Sequence, residues 1–392
     1  MKRVALSSLA LAMVGAASAA HAQSSVTLYG IIDAGISYTH NVVNSSGGNA
    51  SSQIGLTDGT MSNDRWGLKG TEDLGGGLQT VFQLENGFDV KNGTLGQSNR
   101  EFGRQAFVGL SSATMGTVTV GRQYDPLVDM VQPLTEDNYF GSIFGTPGDV
   151  DNYDDNFRVD NSIKYVTPSY SGLQFEGMYA FGGVAGSTSA GESYSAAASY
   201  TNGGLGLAGG YFYTKTQSAT GFTSTADLNA DSAINTSFSE NARSLGIGRF
   251  GAQYAFGNFT VGGSYSNVQY RPVSGLALFT GNETFNAGSA FVNYQLNQAT
   301  LLGLGYTYMK STGVTSANYN EVSLGSDYNL SKRTDLYVVA AYEKANGTSL
   351  SGDGTASSPL SVVSANASIG SYGNPSASNT QELVIVGIRT KF

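Results

Sequence analysis

The chain has 392 residues, with 53 Gly, 23 Tyr, only 7 Pro, no cysteine and a formal net charge of −9. That acidic balance offers no basic footprint for nucleic acid, and the lack of cysteine excludes thiol chemistry, thiolate zinc sites and a disulfide framework. Charged residues make up just 12% of the chain, an awkward surface for a soluble domain so rich in tyrosine but a suitable one for a β-barrel in lipid.

The first residues are a cationic "MKR", an apolar "VALSSLALAMVG" and the small-residue run "AASAAHA". This pattern predicts a secretory signal peptide over residues 1–22, with Ala20-His21-Ala22 as the cleavage motif. The apolar run is shorter than the ~20 residues that a spanning helix needs. Residues 23–392 read as one domain, with no sustained helical periodicity.

Alternation at period two follows along the chain. "LQFEGMYA" sets Leu173, Phe175, Gly177 and Tyr179 on one face, and "LGLAGGYFYT" does the same with Leu205, Leu207, Gly209, Tyr211 and Tyr213. "FTVGGSYS" sets Phe259, Val261, Gly263 and Tyr265 opposite small polar residues, and "TLLGLGYTY" aligns Leu302, Leu304, Tyr306 and Tyr308. Each apolar face ends in Tyr at one margin, which suits a membrane interface better than the buried side of a sandwich.

Two kinds of connection alternate between these segments. Tight ones fall at 71–76, 112–116, 168–172, 201–204, 256–258, 296–299 and 330–333. Long polar ones fall at 41–63, 88–100, 123–160, 183–192, 215–242, 271–282, 311–318 and 346–379. Together they predict an all-β fold, a 16-stranded antiparallel transmembrane β-barrel of the bacterial outer membrane. Hydrocarbon does not tolerate an open sheet edge, so the first and last strands must pair. The final stretch, "ELVIVGIRTKF", is apolar on one face as far as Phe392, which places that ring at the periplasmic interface.

Several stretches carry a specific resemblance that spans residues 23–392. They are "SSVTLYGIIDAGISY", "DRWGLKGTEDLGGGLQTVFQLENGF", "REFGRQAFVGLSSATMGTVTVGRQYDP", "NSIKYVTPSYSGLQFEGMYAFG" and the terminal "VGIRTKF". In this order they resemble the trimeric general-diffusion porins of Gram-negative bacteria, most closely the beta-proteobacterial type. The resemblance implies a homotrimer in the outer membrane, in contact with lipid and lipopolysaccharide. It also implies a terminal Phe392 recognised by the barrel-assembly machinery, and a third long loop folded into the lumen. Here that loop is 123–160, which concentrates acid: Asp125, Asp129, Glu136, Asp137, Asp149, Asp151, Asp154, Asp155 and Asp160.

A diffusion pore for small hydrophilic solutes and ions needs opposed charges at a wet constriction, not a nucleophile. Strand parity turns Arg65 and Lys69 inward, opposite Trp66 and Leu68, and likewise Arg158 and Lys164, opposite Ile163 and Tyr165. For Arg104 the alternation is ambiguous, and the resemblance assigns it to the basic ladder. Asp125, Asp129, Asp149 and Asp151 are the candidate acidic partners, with Asp149 and Asp151 preferred. Arg122 shares the outward parity of Val118 and Val120, so it is a candidate trimer contact, with Asp89 or Glu101 as its partner. The ionic preference stays open between cation and anion.

Alternatives are a substrate-specific pore with a saturable sugar or anion site, and a β-rich surface adhesin without a pore. An enzyme is disfavoured, since His40 is the only histidine after residue 22 and no triad can form around it. "GLGLAG" (204–209) opens a Tyr-rich strand and not a helix, so no dinucleotide site is expected. No cofactor is expected, although the acidic "DVDNYDDN" (149–156) leaves calcium open without the spacing of a calcium loop.

Overall fold

The computed structural model describes residues 24–44, 50–155, 157–217, 222, 232, 234–370 and 376–392. The predicted signal segment, 1–22, lies outside them. Strands β1 (Ser25–Val43), β2 (Ala50–Asp58), β3 (Arg65–Gly75), β4 (Leu78–Gly87), β5 (Gln105–Ser112) and β6 (Gly116–Gln123) open the sheet. Next come β7 (Val159–Val166), β8 (Leu173–Ala180), β9 (Ser193–Asn202), β10 (Leu205–Lys215), β11 (Ala242–Phe256) and β12 (Phe259–Pro272). The sheet ends with β13 (Glu283–Gln295), β14 (Thr300–Thr312), β15 (Ser316–Asn329), β16 (Thr334–Ser351), β17 (Ser361–Ser364) and β18 (Thr380–Lys391).

β2 and β3 lie end to end along β1, pairing with its two halves, and so form one stave. β17 is a short arm on the upper end of β16. The result is a closed antiparallel barrel of 16 staves. Its seam joins β1 to β18 from Ile31↔Lys391 to His40↔Glu382. There Phe392 donates its N–H to Gly30 O at 3.0 Å and Gly30 returns one to Phe392 O at 3.1 Å. The Phe392 ring lies over Gly30, where any Cβ would collide with it.

All seven tight turns fall where the sequence puts them. Two predicted long loops shorten, however. Nine residues of 41–63 are β2, because Ile54 and Leu56 alone give "ASSQIGLTD" an outward apolar face. The segment 311–318 is a turn at Gly313, held by Glu283, whose Oε2 accepts from Val314 N at 2.7 Å.

The alternation is visible in β14, where Leu302, Leu304, Tyr306 and Tyr308 are exposed outward and Gly303, Gly305, Thr307 and Met309 are buried inward. Not all of the inward face is small or polar. Phe212, Ile247, Val268, Tyr270, Phe285 and Met309 point inward and are buried with Leu127, Met130 and Val131 in one apolar cluster. Part of the barrel interior is a packed core.

Candidate functional site

The connection from β6 to β7 supplies that core. Asp125 caps helix α1 (Pro126–Met130), accepting from Leu127 N at 2.8 Å, and Pro126 fits the first helical position. α1 packs on β8, β9 and β10. Helix α2 (Asp137–Phe140) follows, and the Phe140 ring occupies the space left by the missing side chains of Gly303 and Gly325. Polar bonds fix the same stretch to the inward wall. Asn293 Nδ2 donates to Glu136 Oε2 at 3.0 Å, Tyr139 OH to Gln253 Oε1 at 2.9 Å, and Ser323 Oγ to Ile143 O at 3.0 Å. Arg249 lies over the Tyr153 ring at 4.0 Å and donates to Asn152 O at 3.2 Å. The loop is thus spread over the inward faces of β8–β15.

The remaining interior lies beside β1–β9. Between β2 and β3 the chain bends through residues 59–64, and Asp33 holds the bend. Its Oδ2 accepts from Met61 N at 2.7 Å and Ser62 N at 2.9 Å, while Oδ1 accepts from Tyr337 OH at 2.6 Å. Arg65 follows directly and lines a void of about 240 Å³ together with Asn63, Gln132, Asp137, Asn138, Asp154 and Asp155. Among the described residues Arg65 forms no ion pair. Toward the tight turns lies a void of about 590 Å³, lined by Lys69, Gln83, Gln123, Asp129 and Lys164. Toward the long loops lies one of about 310 Å³, lined by Arg158, Asn161, Phe181, Thr214 and Lys215.

The predicted basic ladder is divided by this arrangement. Arg65 and Lys69 line voids, and Lys69 lies 5.1 Å above the Tyr29 ring. Arg104 and Arg158, by contrast, are buried and share the Tyr124 hydroxyl as acceptor. Arg104 also pairs with Glu85 at 2.8 Å, and Asp155 approaches Arg104 and Arg158 at 3.6 and 3.5 Å. They are a neutralised structural knot and not an open row of cations. Lys164 is tied to Asp129 and, at 3.1 Å, to Glu176.

The acidic candidates separate as well. Asp125 is a helix cap, and Asp129 is the partner of Lys164. Asp149 accepts from Asp154 N at 3.0 Å, and Asp151 is buried and accepts from Thr146 Oγ1 at 3.1 Å. The carboxylates that line the void beside Arg65 are Asp137, Asp154 and Asp155. Among the described residues no three carboxylates or histidines gather as metal ligands.

Arg122 keeps the parity opposite Thr119 and Gln123, which bond each other at 2.6 Å. It finds Asp160 of its own chain at 2.6 Å and Gly103 O at 2.7 Å, whereas Asp89 accompanies Lys91. Two inward arginines were missed. One is Arg249, whose parity opposite Phe250 could have revealed it. The other is Arg389, which pairs with Asp335 at 3.2 Å and donates to Ser62 Oγ at 2.9 Å.

Burial pushes the Asp137 carboxyl up to about 7, against hydrogen bonds from Thr135 and Gln132 that favour its charge. Burial likewise raises Asp125 to about 6 and Glu136 to about 9. Because the folded value of Asp137 exceeds that of an unfolded Asp, the native loop holds an extra proton between about pH 4 and 7. Its contribution to stability is full below about pH 4 and is lost as the pH rises through 7. Over the same rise the void gains a negative charge. Reversal potentials in a salt gradient are expected to move toward cation preference between about pH 6 and 8, and Asp137→Asn to flatten that change. An equally steep profile in the variant would assign the titration elsewhere.

A closed barrel with an apolar outer face and voids within it is the architecture of an outer-membrane pore protein. Residues 6–348 match the Gram-negative porin family. An outer membrane porin protein of Bordetella pertussis is 33% identical over 394 residues, covering 88% of this chain and 94% of the relative. Outer membrane porin protein 32 of Delftia acidovorans is 30% identical over 355 residues, covering 88% and 91%. The anion-selective porin from Comamonas acidovorans superposes with a TM-score of 0.70 at 25% identity, covering 94% of this chain and all of that one. The chain belongs to the Gram-negative porin family. It is a multi-pass outer-membrane protein and not an enzyme.

Proposed function

We propose that residues 23–392, after removal of 1–22, form a water-filled channel for passive diffusion of small hydrophilic solutes and ions. The supporting observation is the void of about 240 Å³ that Arg65 lines together with Asp137, Asp154 and Asp155. Opposed charges across a narrow wet passage set a transverse field that orders dipolar solutes. Arg65 and Lys69 carry the basic side of the passage, and Arg104 and Arg158 brace the wall behind it.

The working unit is a homotrimer. Outward residues on β16, β18 and β1–β6 are mainly aliphatic, including Val26, Leu28, Ile36, Ile54, Leu56, Val108, Val120, Val386 and Ile388. Outward residues on β7–β15 carry the tyrosines and phenylalanines, among them Tyr165, Tyr211, Phe250, Tyr265, Tyr306 and Tyr328. Aromatics belong at a lipid interface, so the aliphatic sector is the one that faces sister subunits. Arg122, near the rim of that sector, is retained as a contact there, and Phe392 as the assembly signal.

Planar-bilayer recordings of the purified protein are expected to show ohmic conductance closing in equal subunit steps. Arg65→Glu is expected to shift the reversal potential toward cations by reversing the charge nearest the void. An unchanged reversal potential would remove Arg65 from the constriction, and absence of any current would remove the channel.

A further inference from the structure

The tip of the loop between β6 and β7 is gripped from two sides at a single residue. Gly148 donates its N–H to Ser368 O at 2.8 Å, and its C=O accepts from Asn235 Nδ2 at 3.0 Å. Its φ is +64°, and a Cβ there would lie 2.7 Å from Ser232 Oγ and 2.8 Å from Ile234 Cβ. A glycine is therefore required both by the left-handed backbone and by the space.

Both gripping segments are themselves fastened to the barrel. Asn235 precedes helix α3 (Thr236–Glu240), whose Phe238 is fully buried against the inward Tyr270 and Phe285 at 5.9 and 5.5 Å between ring centres. Ser368 donates its N–H to Glu343 on β16 at 3.1 Å, and Ile369 donates to Gln381 on β18 at 3.1 Å. Gly370, at φ +51°, presses against Ser142 O, so the same segment meets the loop twice. Described residues of the connections after β10 and after β17 thus meet at the tip.

We propose that this three-loop clasp at Gly148 is a hold-open latch, keeping the tip on the β11–β16 side and out of the conduit beside Arg65. It rests on the channel reading above. The wall behind it is filled by the apolar clusters, whereas loop residues on both sides of Gly148, Gly141 and Ser142 before it and Asp154 and Asp155 after it, line the void beside Arg65. A released tip therefore enters the passage and interrupts it. Gly148 and Asn235 are positioning residues, distant from the permeating solute.

The test is single-channel recording of wild type, Gly148→Ala and Asn235→Ala, each as detergent-purified full chain with barrel folding checked by circular dichroism. Asn235→Ala removes the bond to Gly148 O and the one that Asn235 Oδ1 accepts from Ser232 Oγ at 2.9 Å, and is expected to raise the frequency of brief closures by about fivefold or more, with the open-state conductance and reversal potential unchanged. Asn235→Ala keeps the backbone intact and so remains informative if Gly148→Ala fails to fold. Wild-type closure rates in Asn235→Ala would overturn the latch while leaving the channel standing. A wild type that passes no current would overturn the channel reading, and the latch with it.

Discussion

Arg104→Ala is expected to lower the stability of the barrel by about 3–5 kcal/mol, the usual loss when one partner of a buried charge pair is removed. The side chain is fully buried, donating to Glu85 at 2.8 Å and to the Tyr124 hydroxyl, with Asp155 at 3.6 Å. Without it Glu85 keeps only Tyr29 OH at 2.8 Å and the weaker approach of Gln83. Its anion is then stranded away from water. Thermal unfolding in detergent, followed by circular dichroism, reads the loss directly. Arg104→Lys retains the charge but not the fork of donors, and should recover only part of it. Arg65→Ala is the control, for Arg65 lines a void and among the described residues forms no ion pair. It should change ion preference with little effect on the unfolding midpoint. Equal midpoints for Arg104→Ala and Arg65→Ala would dissolve the distinction between a bracing knot and a working cation.

Phe140→Ala is expected to cost a similar amount, about 3–5 kcal/mol for a fully buried phenylalanine. The ring stacks on Phe144 at 5.2 Å and is received by Gly303 on β14 and Gly325 on β15. The contact can also be broken from the other side. Gly303→Val and Gly325→Val put methyl groups where the ring lies, in strands that otherwise accept valine readily. All three variants should detach α2 from the wall, with a lower unfolding midpoint and a noisier open current. If both valine variants unfolded at the wild-type temperature, the glycines would not be sockets.

The barrel was legible because lipid enforces a simple rule. Apolar outward residues, Tyr at the margins and turn formers at one rim are each local signals, and β14 displays all of them. Inside, no such rule operates. An inward residue faces water where the passage runs and faces a packed loop where it does not, and the alternation of β10–β13 cannot tell these apart. Phe212, Ile247 and Phe285 break the polar pattern because the loop tops their strands, a fact set by contacts far along the chain. Parity turned Arg65 and Lys69 inward, and both line voids, yet it could not foresee that Arg158 would be consumed by Tyr124 and Asp155. Arg104 needed the family resemblance even to be placed inward. Arg249 and Arg389 lay within reach of the parity argument, whereas the clasp at Gly148 did not.

The Gly30–Phe392 seam has a consequence for how the molecule comes into being. Its two halves are the first strand and the last residue, so the bonds that finish the cylinder join the most distant parts of the sequence. Closing so large a loop is entropically slow. Every shorter nascent chain is an open sheet with two unsatisfied edges. A chain cut short by even one strand lacks the piece that zips it shut, and keeps two unpaired edges that hydrocarbon does not tolerate.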